Sequence, residues 1–225
     1  SGKGTQGKLL ASRLGAGYFE MGGELRKLAK SSTPLGLKVK SIIDAGHLVP
    51  NEVVMEIVED FAVHAGESGA NGAKVAPSGR LPTGQAGVLN SKPRGACVFD
   101  GIPRNAEQNA SFTGLLDKLD RQYTGIYFEL KREDALRRLL SRRVCSVCGS
   151  PVSADFTGTA CPTCGGALKT RDDDNEKSIL TRFEIFERET MVIIKEWQTR
   201  GRMITIDAAP AVEKVTENLF AALKI

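Results

Sequence analysis

Gly95-Ala96-Cys97-Val98-Phe99-Asp100-Gly101-Ile102-Pro103-Arg104 reads as a short apolar strand that ends on an aspartate and breaks into a Gly/Pro turn. The strand is predicted over residues 96–100 and a helix over 106–119. Outward from it the same alternation recurs. Strands are predicted at 17–20, 125–130 and 203–207, and helices at 3–14, 23–30, 34–45, 133–144, 176–200 and 211–223. A further helix starts at Pro50 and Asn51, with Val54, Ile57, Val58 and Phe61 at helical spacing. Short strands alternating with helices predict an α/β fold with a parallel sheet. In such sheets ligands bind beyond the carboxyl ends of the strands, where Asp100 and Arg104 fall. Arg104 is suited to grip a phosphate in two-pronged fashion, and Gln108, one turn on, to bond a base edge. The bland reading of this pair is a helix-capping aspartate and a solvated arginine.

The remaining composition sets bounds. A chain of 225 residues with 41% hydrophobic and 26% charged residues buries a real core and is not disordered. The net charge of +4 is too mild to argue for a nucleic-acid binder. Every apolar run is cut by a charge before the roughly 18 residues that a membrane span needs. With two histidines in the chain, hydrolytic triads have little to draw on. Residues 66–95 hold seven glycines and three prolines without periodicity, which reads as a surface insertion or, less blandly, a basic nucleotide flap.

Four of the five cysteines form two Cys-x-x-Cys knuckles, Cys145/Cys148 and Cys161/Cys164, with twelve residues between them. Gly149 and Gly165 follow the second cysteine of each. This spacing supplies four thiolates for a tetrahedral zinc ion, and a closed four-sulfur site is structural rather than catalytic. It also suits a reducing, cytoplasmic compartment.

Two further patterns bear on phosphate. Ser1-Gly2-Lys3-Gly4-Thr5 opens a helix, and glycines there let backbone N–H groups face phosphate oxygens while Lys3 adds a charge; alone, it is equally a helix-capping loop. Arg138, Arg142 and Arg143 precede the cysteine ribbon, and Arg171 and Arg182 follow it. Converging guanidiniums neutralise a polyphosphate during transfer. Arg143 and Asp172 read as solvated, and Asp173 and Asp174 as ion-pair partners that hold arginines in place.

In chain order, Gly-Lys-Gly-Thr-Gln, Gly23-Glu24-Leu25-Arg26, Asp-Gly-Ile-Pro-Arg, Arg-Arg-Val-Cys and Thr170-Arg171-Asp172-Asp173-Asp174 closely resemble an adenylate kinase of the long, zinc-lid type. The resemblance implies a P-loop parallel sheet flanked by helices, with a monophosphate-binding helical insert and a small zinc-ribbon lid. It divides the chain into core (1–20), monophosphate-binding helices (21–65), the Gly/Ala/Pro-rich insertion (66–95), core (96–143), lid (144–172) and core (173–225). It implies reversible phosphoryl transfer from MgATP to AMP by a cytoplasmic monomer that binds neither nucleic acid nor membrane. Gly2, Lys3, Gly4, Thr5, Arg138, Arg142 and Pro210 would bind ATP, and Asp100 a water on Mg2+. Met21, Arg26, Ile43, Val49, Gly101, Arg104, Gln108, Arg171 and Arg182 would bind AMP. Lys3, Arg104, Arg142, Arg171, Arg182 and Asp173 would carry the catalysis, and Zn2+ would sit on the four cysteines. The chain departs from the family in having Met21-Gly22-Gly23 in place of Thr-Gly-Asp, Ile102 in place of Phe, and a shorter stretch between knuckles. It also opens at Ser1 without methionine or leading strand, so the sheet is expected to lack a central strand. The alternatives are a UMP/CMP-type kinase, an inactive relative, and a zinc-ribbon nucleic-acid-binding protein. The last would want aromatics near the ribbon, where only Phe156 lies between the knuckles.

Overall fold

In the computed structural model, which describes residues 2–64, 95–152, 156–171 and 173–225, the chain enters its first helix at Gly2. A φ of 72° there suits glycine and lets the Gly2 carbonyl accept from the N–H groups of Thr5 and Gln6 at 3.0 and 3.1 Å. Helix α1 (Lys3–Leu14) leads to strand β1 (Gly17–Glu20). Three helices follow: α2 (Met21–Ala29), α3 (Pro34–Asp44) and α4 (Asn51–His64). The Thr33 hydroxyl caps α3 by accepting from Gly36 N–H, and Pro34 at the first helical position needs no partner for a missing N–H. Most of the glycine- and proline-rich stretch, together with Ser1 and Asp172, lies outside the described residues. The surface insertion predicted there and the solvated reading of Asp172 do so as well.

Strand β2 (Cys97–Asp100) pairs parallel with β1, so that Glu20 lies beside Asp100 at the carboxyl end. Helix α5 (Ala106–Lys118), capped by the Asn105 side chain, leads to β3 (Gly125–Glu129) and α6 (Arg132–Leu140). The cysteine ribbon is an antiparallel sheet of β4 (Arg143–Cys145), β5 (Pro151–Val152) and β6 (Leu168–Thr170), with β4 central. Then come α7 (Glu176–Ile185), a π-helical turn (Phe186–Thr190), α8 (Met191–Thr199), β7 (Met203–Asp207) and α9 (Val212–Leu223). Strand β7 pairs parallel with β3.

The predicted parallel α/β fold is present, with a difference. Among the described residues its four parallel strands form two hydrogen-bonded pairs, β1–β2 and β3–β7, rather than one continuous ladder. Alternation along β2 explains how both cores use it. Val98 packs against the cluster of Leu10, Ile206, Val215 and Leu219 under α1 and α9, whereas Phe99 faces the opposite core. There Phe99 meets Phe61, Phe19 and Phe112 with ring centroids 5.6, 5.6 and 5.2 Å away. Such tilted and edge-on contacts add about 1 kcal/mol each beyond the area they bury.

Two predicted helices need correction. The helix over 133–144 stops at Leu140, because Arg143 to Cys145 pair instead with Thr170 to Leu168, and a tertiary ladder overrides helical propensity. The helix over 176–200 is broken by the π turn. Gly46, at φ 82°, brings the end of α3 against α7, where a Cβ would lie 2.5 Å from the Ser178 carbonyl oxygen. The Ser178 hydroxyl donates to the Asp44 carbonyl at 2.5 Å, tying helices distant in sequence.

Candidate functional site

The carboxyl ends of β1 and β2 carry Glu20 and Asp100 side by side. Asp100 is buried; its Oδ1 lies 2.9 Å from Lys3 Nζ, and its Oδ2 accepts from the Tyr18 hydroxyl at 3.0 Å. Burial alone would push the Asp100 carboxyl up, but Lys3, the Tyr18 hydroxyl and Arg104 outweigh it and hold it below the usual carboxylate range. The first turn of α1, with N–H groups that have no intrahelical acceptor, begins beside this pair.

Across the same opening lies a knot of arginines. The Arg104 Nε donates to the Gly101 carbonyl at 2.9 Å, and Gly101, at φ 88°, leaves its guanidinium room where a Cβ would stand 3.1 Å from an NH2. The Arg104 backbone is held twice more, by Gln108 Oε1 at its N–H (2.9 Å) and by the Thr190 hydroxyl at its carbonyl (2.8 Å). Arg26 reaches Glu20 at 2.8 Å. Burial and the neighbouring Arg171 push the Arg26 guanidinium down, as burial, Arg182 and Arg26 do Arg104, so these cations crowd one another.

Acidic groups hold the knot together. Asp173 accepts from Arg171 Nε and NH2 at 3.0 and 2.8 Å. Asp174, with a side chain 0% exposed, accepts from Arg142 through two bonds of 2.7 and 2.6 Å and from Arg182 at 2.9 Å. Arg182 keeps its Nε buried and without an acceptor among the described residues, a donor left over for an anion.

Every nucleotide-site residue predicted from the sequence, from Gly2 to Pro210, lines a single cleft of about 2600 Å³. Within it the parts differ. Met21 and Val49 belong chiefly to the core, at 3% and 4% exposure. Gln108 is buried, and its Oε1 is committed to Arg104, which leaves its amide N–H groups as what it can offer a base. Arg138 donates to the carbonyls of Ala208 and Ala209, both at 2.8 Å, and so docks beside Pro210. Arg143 is not the solvated charge predicted: it donates to the carbonyls of Phe156 and Gly158 and braces the ribbon.

The sequence reading passed over Tyr18 and Glu20. Glycines at 4 and 7, one helical turn apart, were the available signal for Tyr18, since they leave a bare face on α1.

The four cysteine sulfurs lie within 4.8 Å of one another. Cys145 Sγ is 3.4 Å from Cys164 Sγ, and Cys148 Sγ is 3.7 Å from Cys161 Sγ, near the about 3.8 Å edge of a tetrahedral Zn–S4 site. Backbone N–H groups of Val147 and Thr163 point at the Cys145 and Cys161 sulfurs, each at 3.4 Å. Gly149 and Gly165, at φ 71° and 72°, supply the turns that make this possible. The cluster is thus able to hold a metal ion.

Comparisons with known proteins agree with the geometry. The chain is 32% identical over 228 residues to the adenylate kinase of Geobacter sp. strain M21, spanning 99% of this chain and 94% of that one. It is 31% identical over 229 residues to the adenylate kinase of Kosmotoga olearia, spanning 100% and 94%. The adenylate kinase of Methanocella arvoryzae is 29% identical over 231 residues, spanning 100% and 94%. No family profile matches the chain.

Proposed function

The chain belongs to the adenylate kinase family and is a nucleoside monophosphate kinase, and from that premise we propose that it transfers the terminal phosphoryl group of MgATP to AMP, reversibly, giving two ADP. The observation that carries this reading is the convergence of Arg104, Arg171 and Arg182 with Lys3 on one cleft. In it Gly2, Lys3, Gly4 and Thr5 cradle the ATP phosphates, and Arg138 and Pro210 flank the ATP base. Arg26 and Arg104 hold the AMP phosphate, with Gln108, Met21, Ile43, Val49 and Gly101 around the acceptor nucleoside. Arg142, Arg171 and Arg182 gather on the transferring group, each aimed by Asp173 or Asp174.

This chemistry asks little beyond charge and position. AMP presents an anionic oxygen as nucleophile, so no general base is required and a cleft without histidine is adequate. The acceptor oxygen forms the new P–O bond as the bond to the ADP leaving oxygen breaks, and the arginines neutralise the charge that spreads over the equatorial oxygens. Asp100, a hard oxygen donor at the strand end, would orient a water on the magnesium that accompanies ATP, and the ion would supply further neutralisation of phosphate charge. Exclusion of water under the ribbon, acting as a lid, protects ATP from hydrolysis.

The test is diphosphate formation with MgATP and each of AMP, UMP, CMP and GMP. Rapid turnover with AMP alone supports the reading; a preference for UMP or CMP moves it to that sister activity, in line with Met21 in place of a hydroxyl residue. No turnover with any acceptor overturns it.

Zinc, held by Cys145, Cys148, Cys161 and Cys164, is proposed as purely structural. Cys161→Ser is expected to lower the melting temperature by about 5–10 °C while activity at low temperature stays within about twofold. Differential scanning calorimetry beside an assay at 10 °C checks this. Lost activity with unchanged melting contradicts the structural assignment.

A further inference from the structure

The phenol of Tyr18 lies against Asp100 and Gly4, two residues that line the cleft, and nothing in the reaction described above uses it. Its ring is seated against α1, where a Cβ at Gly7 would fall 2.8 Å from Cε2 and a Cβ at Gly4 3.7 Å from the hydroxyl oxygen. The bare backbone at Gly7 is what admits the ring, whereas a Cβ at Gly4 would only touch the hydroxyl. From that seat the hydroxyl donates to Asp100 Oδ2 at 3.0 Å and lies 3.4 Å from the Gly4 carbonyl oxygen. One hydrogen serves one acceptor well, and the shorter bond to the charged carboxylate takes it. Burial, with Asp100 and then Glu20 nearby, drives the phenol far above its ordinary pKa, so it stays a donor. The other oxygen of Asp100 is the one on Lys3, at 2.9 Å.

We propose that Tyr18 is a positioning residue for the phosphate-binding turn: its hydroxyl holds the Asp100 carboxylate so that Oδ1 faces Lys3, and its ring, seated on Gly7, sets the start of α1 against the end of β2. Three chain segments that must agree on the place of one phosphate are thereby joined through a single side chain. Tyr18 touches neither nucleotide; it acts through Asp100 and Lys3. The kinetic consequence rests on the kinase reading above, but the geometric one does not.

Tyr18→Phe separates these. It keeps the ring on Gly7 and deletes the bond to Asp100. The expected result is a KM for ATP raised by about five- to tenfold, the net size of one ordinary intramolecular hydrogen bond, with the KM for AMP within twofold. Melting is expected within about 2 °C of the parent. Equal rises in both KM values, or a loss explained by a lowered melting temperature, would mark Tyr18 as a general packing residue and overturn the proposal. An unchanged KM for ATP overturns it too. Equilibrium binding of ATP to both proteins, measured by calorimetry, keeps the test independent of turnover. If the parent binds ATP but phosphorylates no acceptor, the kinase reading fails, while weaker ATP binding by Tyr18→Phe still supports the positioning role. Equal binding by the two proteins refutes it. Gly7→Ala, which crowds the ring from the other side, is expected to weaken ATP binding in the same direction; no effect would remove the ring's seat from the argument.

Discussion

Lys3→Met is expected to lower kcat/KM for MgATP by about a thousandfold while moving the melting temperature by no more than a few degrees. The two halves of that expectation have different origins. The Lys3 side chain is 50% exposed, so its ion pair with Asp100 is screened by water and contributes little to folding. Asp100 also keeps the Tyr18 hydroxyl and the field of Arg104 when the lysine is gone. In the proposed reaction, by contrast, the ammonium would meet phosphates in a cleft from which water is excluded, where a preorganised charge is worth about 4 kcal/mol. Lys3→Arg is expected to recover little, because a planar fork does not replace a compact charge placed against a glycine turn. Steady-state kinetics with calorimetric melting decide the matter; a loss under tenfold would remove Lys3 from the transferring phosphates.

Asp174→Asn is expected to cost both activity and stability, by about a hundredfold in kcat and about 5–10 °C in melting. Asp174 is the wholly buried member of the acidic pair, and it serves Arg142 at the end of α6 and Arg182 on α7 at once. Asparagine keeps the shape but not the charge, so Arg142 and Arg182, each 24% exposed, lose the counter-ion they share, and Arg182 keeps only the longer 3.5 Å contact with Asp173 among the described residues. Breaking a buried pair costs about 3–5 kcal/mol, and the partial exposure of both arginines brings this to roughly 2–3. Asp173→Asn is expected to cost less, since its side chain is 13% exposed and its close partner is Arg171 alone, with Arg182 at 3.5 Å. The reverse order, Asp173→Asn being the worse variant, would show that the buried carboxylate is not the hub of the arginine cluster. The sequence reads both aspartates alike, as partners that hold the arginines in place.

That tie shows where the sequence stops being readable. Strands ending on Asp100 and Glu20, the cysteine knuckles and the run of arginines are local patterns, and each could be read from its own few residues. Which of two adjacent aspartates turns inward depends on how the ribbon joins α7, and no periodicity records it. Arg143 sits in a helical-looking stretch, but its partners, Thr170, Phe156 and Gly158, come from the far side of the ribbon. Tyr18 was silent for the same reason, its contacts being the absence of side chains at Gly4 and Gly7 and a carboxylate 82 positions away. Gln108 was read for its amide and found in the cleft, but one of its two polar atoms is spent on the backbone of Arg104.

The π turn between α7 and α8 has an angular meaning. An α-helix advances about 100° per residue, and a π turn takes one residue more to go round, so every side chain beyond it is set back by roughly that angle. Residues 176–199 therefore carry two phases on one axis. In the first, Arg182 points at Asp174; in the second, Ile193, Ile194 and Trp197 are buried, with Trp197 Nε1 donating to Asn109 at 3.0 Å. Thr190, at the seam, reaches the carbonyl of Arg104. Winding Phe186–Thr190 as ordinary α-helix with every residue kept would rotate the charged face and the apolar face about 100° out of agreement, whereas removing one residue at the same time would bring them back, because the deletion and the setback are the same angle. The turn thus holds one residue more than a plain α-helix would need to present the same two faces.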